Sequence, residues 1–97
     1  DMLLQQAKQI RTDRSWLTEQ LVALDVLSVY PSEANFILFR TPVGQATNIF
    51  NRLREKGVLI KNLSPVGGQL ADCLRVTVGT AQENKFFLDS LSQILEG

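Results

Sequence analysis

The sequence predicts an α+β domain: a small sheet of three to four strands with helices packed on it, in the order αββαββα. Helical periodicity governs both ends of the 97-residue chain. Short apolar runs bounded by proline and glycine fill the stretches between, and one further amphipathic segment divides those runs into two pairs. The composition, 44% hydrophobic and 21% charged, is that of an ordinary globular domain. A chain of this length is expected to form a single domain, 1–97, with a core that buries roughly 60–70% of its unfolded surface.

Leu3, Ala7, Ile10, Leu17, Leu21 and Leu24 recur at helical spacing, with Gln5, Lys8, Arg11 and Glu19 mostly off that face. The first helix should end near residues 23–25, with Thr12-Asp13-Arg14-Ser15 as a candidate break. Val26-Leu27-Ser28-Val29-Tyr30 reads as a short strand stopped by Pro31, which has no N–H to give a ladder, and Ser32-Glu33 reads as a turn. Asn35-Phe36-Ile37-Leu38-Phe39-Arg40 is a second strand, apolar on both faces and so expected to be covered on both. After Pro42 and Gly44, the spacing of Ala46, Ile49, Phe50 and Leu53 predicts a helix closed by a left-handed Gly57. Val58-Leu59-Ile60 reads as a third strand and residues 62–72, with Pro65, Gly67 and Gly68, as a loop. Cys73 to Val78 alternates as a fourth strand, with Leu74, Val76 and Val78 on one face. Thr80 and Glu83 form a capping-box pattern for a last helix that buries Phe87, Leu91, Ile94 and Leu95.

Several chemistries are excluded by residue counts. The chain contains no His, which removes Ser–His and Cys–His nucleophile pairs, imidazole acid–base catalysis and most zinc sites. Its single cysteine, Cys73, forms no internal disulfide and is expected to be an inert, half-buried thiol. The 10 basic residues are balanced by 10 acidic ones, which argues against nucleic acid or an acidic membrane surface as partner. No apolar run approaches a membrane span, so a cytoplasmic location is expected. Residue 1 is Asp rather than an initiating Met, so a processed or excised piece is expected.

The residue that stands out is Arg75. If Leu74, Val76 and Val78 face the helices, Cys73, Arg75 and Thr77 face the other way. A guanidinium in mid-strand needs an acceptor when buried, and its planar fork suits bidentate capture of a carboxylate or phosphate. On pattern alone, a salt bridge to an Asp or Glu on a solvated face is the more ordinary reading. Lys61, at a strand end, and Asn35, after a turn, are weaker binding candidates with equally ordinary solvated or turn-satisfying roles. Trp16 is expected to anchor the core rather than to carry a ligand.

Three stretches carry a resemblance: Tyr30-Pro31-Ser32-Glu33-Ala34-Asn35-Phe36-Ile37-Leu38-Phe39-Arg40, then Leu53-Arg54-Glu55-Lys56-Gly57-Val58-Leu59-Ile60-Lys61-Asn62, then Cys73-Leu74-Arg75-Val76-Thr77-Val78-Gly79-Thr80 followed by Glu83-Asn84 and Phe87-Leu88. In that order they resemble the C-terminal small domain of the histidinol-phosphate aminotransferase family, within the class I/II pyridoxal-phosphate aminotransferases. The resemblance covers essentially the whole chain. It implies that Arg75 grips the substrate anion (the phosphate of histidinol phosphate, or a carboxylate of glutamate or 2-oxoglutarate), with Lys61 as a second cation and Asn35 as a weaker contact. Lys61 departs from relatives that carry arginine there, keeping the charge without the fork.

The resemblance also implies that pyridoxal phosphate is held by a large domain absent from this chain, and that the full enzyme is a homodimer working in histidine biosynthesis. The family's Schiff-base lysine sits in a Ser-Lys segment, and none of Lys8, Lys56, Lys61 and Lys85 has that context. The chain alone is therefore expected to be inactive, contributing anion binding and closure of the site. Two other readings stay open: the small domain of a sister enzyme such as a threonine-phosphate decarboxylase, and a free-standing α+β anion-binding module without catalysis. Without its large domain, the strand holding Ile37 and Phe39 is expected to lose a covering layer there or at their neighbours, and the fragment to self-associate.

Overall fold

The computed structural model describes residues 2–30, 35–58 and 60–96, with side chains from residue 12 onward. The chain runs α1 (Met2–Ala23), β1 (Ser28–Tyr30), β2 (Phe36–Arg40), α2 (Ala46–Glu55), β3 (Lys61–Asn62), β4 (Cys73–Thr77) and α3 (Ala81–Glu96). This is the expected αββαββα order, and the architecture is α+β. The strands form one antiparallel sheet in the order β1-β2-β4-β3, placing the two longest strands at its centre.

Side chains alternate across a strand, so the register decides what the helices cover. Ile37 and Phe39 of β2 stand opposite Val76 and Leu74 of β4, and all four are buried. Over this face pack Leu17 and Leu21 of α1, Ile49 and Leu53 of α2, and Phe87 and Leu91 of α3. The Phe39 and Phe87 rings meet at 6.1 Å, tilted by 54°, a favourable aromatic geometry. Burying side chains of this size is worth roughly 1.5–3 kcal/mol each, so this single layer carries most of the apolar stabilisation.

Both caps read from the sequence are present. Gly57 has φ of 89°; its N–H bonds the Arg54 carbonyl at 3.0 Å and the Val58 N–H bonds that of Leu53 at 2.9 Å. This pair of bonds is the Schellman closure of α2. At α3, the Glu83 N–H donates to Thr80 Oγ1 at 3.1 Å while the Thr80 N–H donates to Glu83 Oε1 at 3.0 Å.

Other expectations need correction. The Thr12–Ser15 stretch does not break α1, which continues through it. The first strand is only Ser28–Tyr30. The third lies later than Val58–Ile60: the Val58 N–H is spent on closing α2, and pairing starts only where Lys61 meets Arg75. The 62–72 loop holds two short 3-10 turns, Ser64–Val66 and Gly68–Leu70. Trp16 is 39% exposed and is not a core anchor, whereas Cys73 is fully buried rather than half-buried. Helices cover β2 on one face only, and the 62–72 loop reaches the other face at Arg40. Ile37 and Phe39 lie under the helices and lose nothing; their neighbours Phe36 and Leu38 are the half-buried ones. The expected Pro31 stop, the Ser32-Glu33 turn, Leu59 and the Leu3, Ala7 and Ile10 side chains lie outside the described residues. No described helix is long and apolar enough to cross a membrane.

Candidate functional site: a cationic row on the open sheet face

The sheet face turned away from the helices carries Tyr30 of β1, Phe36, Leu38 and Arg40 of β2, Cys73, Arg75 and Thr77 of β4, and Lys61 of β3. Lys61 is paired with Arg75, Arg75 with Leu38, and Leu38 with Tyr30, so these four form one row across the sheet. The sequence-derived candidates Lys61 and Arg75 are thus direct cross-strand neighbours. None of the strand residues on this face is acidic.

Arg75 is half-buried, with its guanidinium carbon 5.0 Å from the centroid of the Phe36 ring. Stacking on an aromatic face holds the cation's plane while leaving its edge donors free. Among the described residues it makes no hydrogen bond or ion pair, so the salt bridge that pattern alone favoured does not form there. Lys61 is exposed. Asn35 does not join them. It lies just before β2, in phase with Ile37, and uses its backbone carbonyl to accept the Val78 N–H at 2.8 Å.

Arg40 is the cation that sequence reasoning passed over. It sits two residues along β2 from the Leu38–Arg75 pair, opposite Cys73. Its Nη2 donates to the Gln69 carbonyl, its guanidinium lies 5.6 Å from the Tyr30 ring centroid, and its Nε is buried without an acceptor. The Cys73 side chain, then the Tyr30 hydroxyl, hold this guanidinium above its ordinary pKa. The alternation inward of Ile37 and Phe39 could have placed Arg40 with Arg75; the contact with Gln69, across 29 residues of sequence, could not be read that way. Among the described residues, no cluster of His, Cys, Asp and Glu could hold a metal ion.

The sequence of this chain is 59% identical over 87 residues to histidinol-phosphate aminotransferase 2 of Nitrosococcus oceani, covering 90% of the chain and 24% of that relative. The chain is a relative of the histidinol-phosphate aminotransferases. It spans about a quarter of the length of the curated relatives it matches. No protein-family model matches it. The solved histidinol-phosphate aminotransferase from Clostridium acetobutylicum superposes with a TM-score of 0.82 at 20% identity, over 91% of this chain and 27% of that one, which establishes the fold. The L-threonine-O-3-phosphate decarboxylase from Porphyromonas gingivalis superposes equally well, TM-score 0.82 at 26% identity, over 93% of this chain and 28% of that one.

Aminotransferases as a class use pyridoxal phosphate, which needs a lysine amine, a partner for the ring nitrogen and a phosphate cradle in one place. Among the described residues, this histidinol-phosphate aminotransferase relative does not bring those groups together. The described amine on the open face is Lys61, with no strand carboxylate beside it, while Lys56 is bonded to Gln93 on the helical side at 3.1 Å. The residues fit an anion and not the whole cofactor.

Proposed function

We propose that residues 1–97 are the C-terminal small domain of a histidinol-phosphate aminotransferase, which moves an amino group between histidinol phosphate and 2-oxoglutarate or glutamate in histidine biosynthesis. Arg75 binds the substrate's anionic end through its fork, and Lys61 adds a second, less directional charge. Stacked on Phe36, Arg75 is held in place before the anion arrives, so little ordering is left for binding. Phe36 and Leu38 provide an apolar wall that excludes water as this domain closes on the rest of the enzyme. Pyridoxal phosphate, which supplies the electron sink for amino transfer, is held by a large domain outside this chain. The full enzyme is a cytoplasmic homodimer with no nucleic-acid or membrane partner, and these residues alone are inactive.

The observation that carries this reading is a half-buried Arg75 on the sheet face that no helix covers, with no hydrogen bond or ion pair among the described residues. The test is Arg75→Gln and Arg75→Lys in the full-length polypeptide. Arg75→Gln is expected to lower kcat/KM for histidinol phosphate roughly 100-fold, mostly through KM, and Arg75→Lys to recover part of that loss. Unchanged KM in Arg75→Gln would remove Arg75 from the site.

The likeness to the threonine-phosphate decarboxylase supports a second reading, in which the same cations hold the phosphate of a phosphorylated amino acid that loses CO2. Mass analysis of products from histidinol phosphate and from threonine phosphate separates the two. A 97-residue gene product that binds phosphate and takes up no pyridoxal phosphate would instead support a free-standing anion-binding module.

A further inference from the structure

We infer that Arg40 is a positioning residue for the Lys61–Arg75 pair: it fastens the 63–72 connection to the sheet and so keeps β3 in register with β4. The inference rests on the anion-binding role proposed for that pair. β3 is an edge strand of two residues, paired with β4 through Lys61↔Arg75 and Asn62↔Leu74. A ladder that short has little stability of its own, so its register depends on the chain that leads out of it.

The ends of that connection are tied locally and, at Asp72, also by the segment after β2, where the Thr41 N–H bonds the Asp72 carbonyl at 2.9 Å and the Gly44 N–H bonds Asp72 Oδ1 at 3.0 Å. The Leu63 N–H bonds the Cys73 carbonyl at 3.1 Å, the Ser64 N–H bonds Asn62 Oδ1 at 3.0 Å, and the Asp72 N–H bonds Ser64 Oγ at 3.0 Å. Its middle contains Gly67 and Gly68, both at positive φ (76° and 57°), where the backbone is permissive. There the bond from outside the hairpin is the one from Arg40 Nη2 to the Gln69 carbonyl, reaching from β2 across β4. The Arg40 guanidinium lies over the Tyr30 ring with its Nε buried, and its Nη2 is bonded to the connection rather than to a group on the open face. Its effect on the anion is therefore indirect, through the placement of Lys61.

The test is a mutant cycle in the full-length polypeptide. It reads KM and kcat for histidinol phosphate and inhibition by inorganic phosphate. Arg40→Met is expected to raise KM about 5–10-fold with kcat within about two-fold, and the same substitution in a Lys61→Met background to raise KM by less than about two-fold, because coupled residues are non-additive. Arg40→Lys, which can still donate to the Gln69 carbonyl, recovers at least half of the loss. If Arg40→Met does not fold, Arg40→Lys carries the same cycle with a smaller KM rise that again vanishes without Lys61. An equal rise in both backgrounds, no rise at all, or a loss confined to kcat overturns the inference. If Lys61→Met and Arg75→Gln both leave KM and phosphate inhibition unchanged, it is the anion-binding reading that fails.

Discussion

Lys61 and Arg75 stand directly opposite each other in the β3–β4 ladder, on the sheet face that no helix covers. Two like charges in register disfavour the pairing that holds them. Such an arrangement persists cheaply only where water screens it, and it becomes favourable when a multiply charged anion lies between the two groups. The stability of this edge and the affinity of the site are thus opposed.

Lys61→Thr should accordingly stabilise the chain by a few tenths of a kcal/mol at low ionic strength, since a β-branched residue suits the edge strand and the repulsion is gone. The gain should shrink on raising salt to about 1 M, where exposed charges are screened within roughly 3 Å. Urea unfolding at the two salt concentrations checks this. A gain that ignores salt would mean that strand propensity, not charge, was relieved.

The two faces of β2 should respond differently to truncation. Phe39 is fully buried against Phe87, so Phe39→Ala should cost about 3–5 kcal/mol. Leu38, one residue away, is half-buried on the open face, and Leu38→Ala should cost less than about half as much. Equal losses in urea unfolding would mean that something covers the open face in solution.

The helical caps, the core positions of β4 and α3 and the αββαββα order were all legible because each rests on local spacing: Gly57 after an amphipathic run, Thr80 three residues before Glu83, Leu74 alternating with Val76. β3 was misplaced because Val58 looks like a strand residue, and only the Schellman bond to Leu53 takes its N–H out of the ladder. Arg75 was visible as a charge in the wrong phase of an apolar strand. Its pairing with Lys61, and the reach of Arg40 to Gln69, depend on register and on a contact across 29 residues, which no local pattern encodes. Trp16 is a different case. An aromatic residue looks like core by type, but at roughly 3.6 residues per turn it falls about 100° away from Leu17, off the stripe that Leu17 and Leu21 bury, and its exposure was legible in that spacing.

Gly57→Ala should destabilise the chain by about 1–2 kcal/mol, the cost of holding a Cβ-bearing residue in left-handed geometry. No heavy atom lies within 4 Å of where that Cβ would sit, so the penalty is conformational rather than a clash. Gly57→Asn should therefore lose noticeably less than Gly57→Ala, because asparagine tolerates this region better. If the two variants unfold at the same urea concentration, the left-handed cap is not what limits substitution there.

The capping box of α3 should give stability a specific dependence on pH. The Thr80 N–H bonds the Glu83 carboxylate and holds its pKa below the ordinary 4.5. A group whose folded pKa is depressed binds its proton more weakly when folded, so its contribution is complete above the unfolded value and is lost as pH falls through the folded one. The stability gap between the native chain and Glu83→Gln should therefore stay constant at neutral pH and close progressively below 4.5. Thr80→Ala removes the other half of the box, the hydroxyl that accepts the Glu83 N–H, and should cost about 1 kcal/mol. Its gap to the native chain should close only in part under acid, because the bond accepted from the Glu83 N–H involves no titrating group while the hydroxyl also helps to depress the Glu83 carboxyl. Chemical unfolding of the three proteins between neutral pH and about pH 3 separates the effects. If the Glu83→Gln gap stays constant throughout, the carboxylate is not bonded to the helix terminus in solution.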